Sequence, residues 1–189
     1  MSHNGLQVAS RGPREWTPEQ RVKIDEIISR YPTKKSAIMP VLWLAQEAFD
    51  WLDLDVMRLV GRTLELPASH VHAVASFYTM FKKAPTGKYV IDVCQTLSCQ
   101  LVGSDKIIAH LEKVLQVDAH GNSADGLFTL HKVECLASCG SAPMMQVNDH
   151  FYEFLTPDSV DEIVAAFRAG NPLSTPRKEA DEWQWSPRS

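Results

Sequence analysis

The four cysteines of the chain fall into two pairs. Cys94-Gln95-Thr96-Leu97-Ser98-Cys99 is a C-x4-C loop, and Cys135-Leu136-Ala137-Ser138-Cys139 is a C-x3-C loop after 35 intervening residues. Four thiolates gathered in one pocket repel one another as anions unless a cation holds them, so the natural occupants are Zn2+ or an iron–sulfur cluster. Structural zinc sites usually use tight C-x2-C knuckles around one ion. In a [2Fe-2S] cluster each iron takes two cysteines, and a longer loop such as C-x4-C suits that larger object. The spacing therefore favours the cluster, with Cys94 and Cys99 on one iron and Cys135 and Cys139 on the other. Zinc and reactive or buried thiols stay open as alternatives. A thiol–disulfide enzyme is disfavoured because neither pair is C-x-x-C. Ser98, Ser138, Gly140 and Ser141 can bring hydroxyls and amides near the sulfurs, which would stabilise negative charge and tune a reduction potential. Glu134 reads as a solvated strand-end residue.

Each pair directly follows an expected strand. Lys88 to Val93 is short, β-branched and ends on Cys94; Leu127 to Val133 runs into Cys135. Between them, Gly103 to Leu115 reads as an amphipathic helix through Ile107, Ile108, Leu111 and Leu115. Met144 to Val147 and Phe151 to Leu155 read as a hairpin turning at Asn148-Asp149, in which one of Met144 and Met145 must face the core. Thr156-Pro157-Asp158 starts a last helix, stopped by Gly170-Asn171-Pro172. The order β-α-β-β-β-α suits a small sandwich with a mixed sheet, of thioredoxin type.

Upstream of the turn-rich stretch Lys82 to Gly87 the chain reads as helices. Thr17-Pro18-Glu19-Gln20 is a capping box, followed by a stripe of Val22, Ile24, Ile27 and Ile28. Lys35 to Phe49 reads as a second helix, with Pro40 kinking it or close to its start. Asp53 or Asp55 caps a third through Val56, Leu59, Val60 and Leu64. Pro67-Ala68-Ser69 opens a fourth. His70 and His72, two apart on that helix, fall on different faces, which weakens a zinc reading there.

The 189 residues are 44% hydrophobic and 22% charged, enough apolar material for a core. A net charge of −4 argues against a nucleic-acid binder. No apolar run approaches the ~20 residues of a membrane-spanning helix. Residues 1–15 lack the apolar stretch of a signal peptide and read as a polar leader, although Arg11 and Arg14 with no acid before Glu15 leave a transit peptide open. A reducing compartment follows from that reading, where cysteines serve as ligands or reactive thiols rather than disulfides.

Several motifs together resemble a known family, the thioredoxin-like [2Fe-2S] subunit (NuoE-type) of the NADH-dehydrogenase module of respiratory complex I. They are Ala75-Ser76-Phe77-Tyr78, Val93-Cys94-x4-Cys99, Asp125 to Leu130, Val133 to Cys139 and Ala142 to Val147, within a match of about Thr17 to Gly170. The one departure is Ala137, where glycine is common in the family; alanine is small enough to leave cluster binding secure. The resemblance implies an α+β chain: a leader (1–15), an N-terminal helical bundle (16–86), a thioredoxin-like [2Fe-2S] ferredoxin domain with a mixed sheet flanked by helices (87–170) and an extended tail (171–189) carrying Trp183 and Trp185. It implies one [2Fe-2S] cluster on Cys94, Cys99, Cys135 and Cys139, and an electron-transfer role. The implied partners are a flavoprotein subunit that binds NADH, FMN and a [4Fe-4S] cluster, and the remaining peripheral-arm subunits of the complex. FMN and NADH are expected on that partner, since this chain has no Gly-rich dinucleotide turn. The implied location is peripheral to the inner (plasma) membrane on the cytoplasmic side, or the matrix side in a mitochondrion. Related subunits serve NAD-reducing hydrogenases and NAD-dependent formate dehydrogenases, and Pro143 is the position where thioredoxin-like folds often hold a cis bond.

Overall fold

The structure, a computed structural model, describes residues 12–173. The Trp183 and Trp185 pair of the expected tail lies outside the described residues, as do the first eleven residues of the leader. The chain divides into two compact units at the Pro85/Thr86 boundary.

In the first unit, side-chain caps set the helix starts. Thr17 accepts a bond from Gln20 N (3.3 Å) while Gln20 Oε1 accepts from Thr17 N (2.9 Å), with Pro18 in the first turn of α1 (Pro18–Ser29). Ile24 of this helix is buried, whereas Val22 is 69% exposed and leaves the expected stripe. The reason is rotational: 24, 27 and 28 are related by three and four residues, but 22 lies about 200° round the axis from 24.

A 3-10 turn over Lys34–Ala37, capped by Thr33, precedes α2 (Ile38–Phe49). Pro40 therefore sits in the first turn of α2, where it lacks no intrahelical bond, rather than kinking a longer helix. Buried Ile38, Val41, Leu42, Ala45 and Gln46 follow the i, i+3, i+4, i+7, i+8 pattern of a single face. Gln46 is satisfied there by donating to Met80 O (3.2 Å) and accepting from Lys82 N (2.6 Å).

Asp53, fully buried, caps α3 (Leu54–Leu64) by accepting from Val56 N at 2.8 Å. Asp53→Ala leaves that buried donor without its cap and is expected to cost about 2 kcal/mol, near the upper end for N-caps, while Asp53→Asn keeps most of the stability. Urea denaturation of the three proteins measures it. With α4 (Ala68–Phe77), these helices enclose one core that includes Trp16, Leu42, Leu52, Met57, Leu64 and Phe81.

The second unit is built on four strands: β1 (Tyr89–Cys94), β2 (Phe128–Val133), β3 (Met145–Val147) and β4 (His150–Tyr152). Their order is β2-β1-β3-β4, with β1 parallel to β2 and the other neighbours antiparallel. Alternation puts Tyr89, Ile91 and Val93 on one face of β1 and Cys94 on the other. On the first face lie α6 (Ser104–Leu115) and α7 (Pro157–Arg168). Ile107, Leu111, Leu115, Val160, Val164 and Phe167 of these helices share a core with Phe128, Met145 and Tyr152. α7 starts at a second capping box, Thr156 with Ser159. Asn148, with φ of 51°, makes the β3–β4 turn. The segment at Gly121 to Ser123 lies along the free side of β2, through Leu130 N to Gly121 O (2.8 Å) and Ser123 N to Phe128 O (2.9 Å), so that edge is not bare. Among the described residues, no helix is long and apolar enough to cross a membrane.

Candidate metal centre

Parallel pairing brings the cysteine pairs together. Cys94, the last residue of β1, is in register with Val133, the last of β2, so both strands leave the sheet at the same end. An antiparallel pair would have sent them to opposite ends. Gln95 N donates to Val133 O (3.0 Å) and Cys94 N to Met144 O (3.3 Å), which fixes Cys94 between the two flanking segments.

The C-x4-C loop is not irregular throughout. Leu97–Leu101 forms a short helix, α5, that turns Cys99 inward to 2% exposure beside Cys94 at 3%. Five residues cannot show a helical period, so pattern reading leaves this element as loop. Met144, buried, packs with both thiols, and Leu136 and Ala142 close the same small cluster. Met145 points the other way, into the sheet core. The alternation thus gives each methionine its own role, and Met144 is an unforeseen part of the site.

Cys135 and Cys139 are exposed, and their sulfurs lie 3.5 Å apart. All four cysteines are free thiols. The second loop curls through Ala137, whose N–H donates to the Cys135 sulfur (3.3 Å) at a left-handed φ of 64°. Glycine suits this position for its backbone freedom rather than its size, and alanine holds the turn at about 1 kcal/mol of strain. Cys139 opens a 3-10 turn, Cys139–Ser141, that leads to a cis Ala142–Pro143 bond.

Polar groups of each loop face the sulfurs of the other. The Ser98 hydroxyl beside Cys139, the Leu136 N–H beside Cys94 and the Met144 N–H beside Cys99 each favour the charged form of that thiol. Thr96 Oγ1 lies 3.3 Å from the Cys94 sulfur. Burial pushes the Cys94 thiol up, but the bonds from Thr96, the Leu136 N–H and Cys99 together hold it below its ordinary value. Burial, then the bond with Cys94, push Cys99 up to about 11 despite the Met144 N–H. Cys139 is raised by its bond to Cys135 and by that neighbour's charge. Ser138 and Ser141, expected beside the sulfurs, instead turn their hydroxyls to Glu153. Glu134 is exposed.

A tetrahedral metal with sulfur bonds of about 2.3 Å separates two of its sulfurs by about 3.8 Å. The 3.5 Å between Cys135 and Cys139 is close to that edge, and Cys94 and Cys99 form a second, buried pair. Two pairs of soft thiolate donors, with N–H groups aimed at the sulfurs, match a two-iron object.

A mixed sheet with two thiol pairs at the shared exit of its parallel strands defines an iron–sulfur protein of thioredoxin type. Residues 24–168 match the family model of thioredoxin-like [2Fe-2S] ferredoxins, and the chain belongs to that family. It is 37% identical over 174 residues to the E subunit of the NADH-quinone oxidoreductase of Mycobacterium tuberculosis, covering 90% of this chain and 69% of that one. The corresponding NADH-quinone oxidoreductase protein of Rickettsia conorii is 43% identical over 143 residues, 74% of this chain and 86% of its own. A chain of an air-oxidised NAD+-reducing [NiFe]-hydrogenase superposes with a TM-score of 0.60 at 21% identity, over 76% of this chain. That likeness shows the shared fold; the chain spans only 24% of the hydrogenase polypeptide.

Proposed function

We propose that this chain is the [2Fe-2S] electron-transfer subunit of an NADH-quinone oxidoreductase, with Cys94 and Cys99 holding one iron and Cys135 and Cys139 the other. The observation that carries the reading is the convergence of two thiol pairs at one end of the sheet, the exposed pair 3.5 Å apart. When bound, the cluster supplies one-electron acceptance and return, which a hydride donor's two-electron chemistry requires somewhere in the assembly.

The chain's own residues do the rest. Met144 and Leu136 close the inner side against water, and the N–H groups of Leu136 and Met144 and the Ser98 hydroxyl stabilise negative charge on sulfur. The Cys99 thiol must release its proton on ligation, which couples loading to pH. Cys135 and Cys139 leave the other side open, where electrons would pass to and from a partner. That partner is a flavoprotein subunit carrying FMN, the NADH site and a [4Fe-4S] cluster, within a peripheral arm on the cytoplasmic or matrix face of the membrane.

Purified protein is expected to be brown, to contain two irons and two sulfides per chain, and to give a [2Fe-2S]-type EPR signal on reduction. A colourless protein with stoichiometric zinc would overturn the cluster. Co-purification with hydrogenase or formate dehydrogenase subunits, in place of quinone-reducing ones, would move the same cluster to another assembly.

A further inference from the structure

The exposed half of the site has a support from a distant part of the chain. Glu153 directly follows the edge strand β4, and one of its oxygens accepts from the hydroxyls of both Ser138 and Ser141, the latter at 2.5 Å. The two serines flank Cys139 and lie 2.7 Å from each other. Backbone bonds run alongside, from Phe154 N to Ser141 O (2.8 Å) and from Leu155 N to Pro143 O (2.9 Å). Ser141 N closes the turn on Ser138 O (3.2 Å).

We infer that Glu153 is a positioning residue for the Cys135–Cys139 pair, holding the loop in its ligating shape through Ser138 and Ser141. The inference rests on the proposed cluster but concerns a residue that touches no sulfur. The physical need is visible in the loop itself. Cys135, Ala137, Cys139 and Gly140 are exposed, Ala137 is in a strained backbone region, and the bonds at Ala137 and between Cys135 and Cys139 end on sulfur. Such bonds depend on where the sulfurs already are. A carboxylate with two hydroxyl donors is an independent anchor, and bonds to a charged acceptor are roughly twice as strong as neutral ones. Glu153 is itself partly buried and directly follows Tyr152, which pairs with Met145 across the β3–β4 ladder, so it can hold rather than follow.

Glu153→Gln keeps an accepting oxygen without the charge, and Glu153→Ala removes both. The cluster-loaded proteins are compared by chelator-driven loss of visible absorbance and by the EPR line shape of the reduced state. Cluster-free proteins are compared by hydrogen exchange of the amides from Leu136 to Gly140. Glu153→Ala is expected to lose its cluster about 10-fold faster, with a changed EPR anisotropy and faster loop exchange, while Glu153→Gln, which keeps the accepting oxygen but not the charge, falls between it and wild type. The double variant Ser138→Ala/Ser141→Ala should reproduce Glu153→Ala, and combining all three should add nothing further. Three results would each overturn the brace: Glu153→Ala matching wild type, Glu153→Gln as impaired as Glu153→Ala, or a full Glu153→Ala effect persisting without the serines. A wild-type protein that holds no cluster would overturn the cluster reading instead, and amide exchange in the loop would still decide the brace.

Discussion

Cys139→Ala is expected to yield a bleached protein that folds as well as the cluster-free wild type. Cys139 is exposed, so its side chain contributes little packing, and a surface substitution of this kind shifts stability by no more than about 0.5 kcal/mol. As a ligand its effect is of another order. An iron left with one protein thiolate lacks half of its hold on the chain. Residues merely supporting ligands change affinity by about 10–100-fold, so loss of the ligand itself should reduce occupancy by at least the upper figure. Iron and sulfide content, visible absorption and the thermal midpoint of the metal-free form, measured together, separate the two effects. Cys99→Ala is a poorer test because that residue is 2% exposed and its loss would also disturb the floor formed with Cys94 and Met144. Met145→Leu is the matched control. It changes a fully buried residue near the site, yet one that faces the sheet core, so it should cost less than about 1.5 kcal/mol and leave the cluster in place. A Cys139→Ala protein with full cluster content would remove that residue from the ligand set.

The two cysteine pairs were legible as one candidate site because cysteine spacing carries chemistry directly and because each pair follows a run of β-branched residues. Their convergence was legible only through the helix between the strands. A helical crossover of that length permits parallel pairing, and parallel pairing places Cys94 opposite Val133. What the sequence did not show is of two kinds. The α5 helix at Leu97–Leu101 is shorter than any period that could reveal it. Glu153 is separated from Ser138 and Ser141 by a hairpin, and a lone glutamate before Phe154 carries no local sign of its partners; only the β3–β4 fold-back brings it near. Val22 is the opposite case, an apolar residue close to a buried stripe whose angular position turns it to solvent. Ala137 lies between these cases. The departure from glycine was visible, but the φ of 64° that gives it meaning comes from the curl of the loop.

Gly121→Ala is expected to damage the second unit far more than exchange of Gly126 or Gly140, and the reason involves the sheet edge that feeds Cys135. Gly121 has φ of +85°, and an added Cβ would sit 2.3 Å from the carbonyl oxygen of Leu130. That oxygen belongs to β2, which is held on its other side by parallel pairing with β1, so it cannot move away as a flexible side chain would. Backbone strain of about 1 kcal/mol and an overpacking cost of about 2 kcal/mol together predict a loss of about 3 kcal/mol. For a unit of this size, that lowers the thermal midpoint by on the order of 10–15 °C. Two other glycines divide the effect into its parts. Gly126 has φ of +67° with nothing within 4 Å of an added Cβ, so Gly126→Ala should show the backbone strain alone. Gly140, beside Cys139, has neither a positive φ nor a close neighbour, so Gly140→Ala should be near neutral in the cluster-free protein. Thermal unfolding of the three variants tests the order. If Gly121→Ala lost no more than Gly126→Ala, the Gly121–Ser123 segment would not be pressed against β2, and the protection of that edge would have to come from elsewhere.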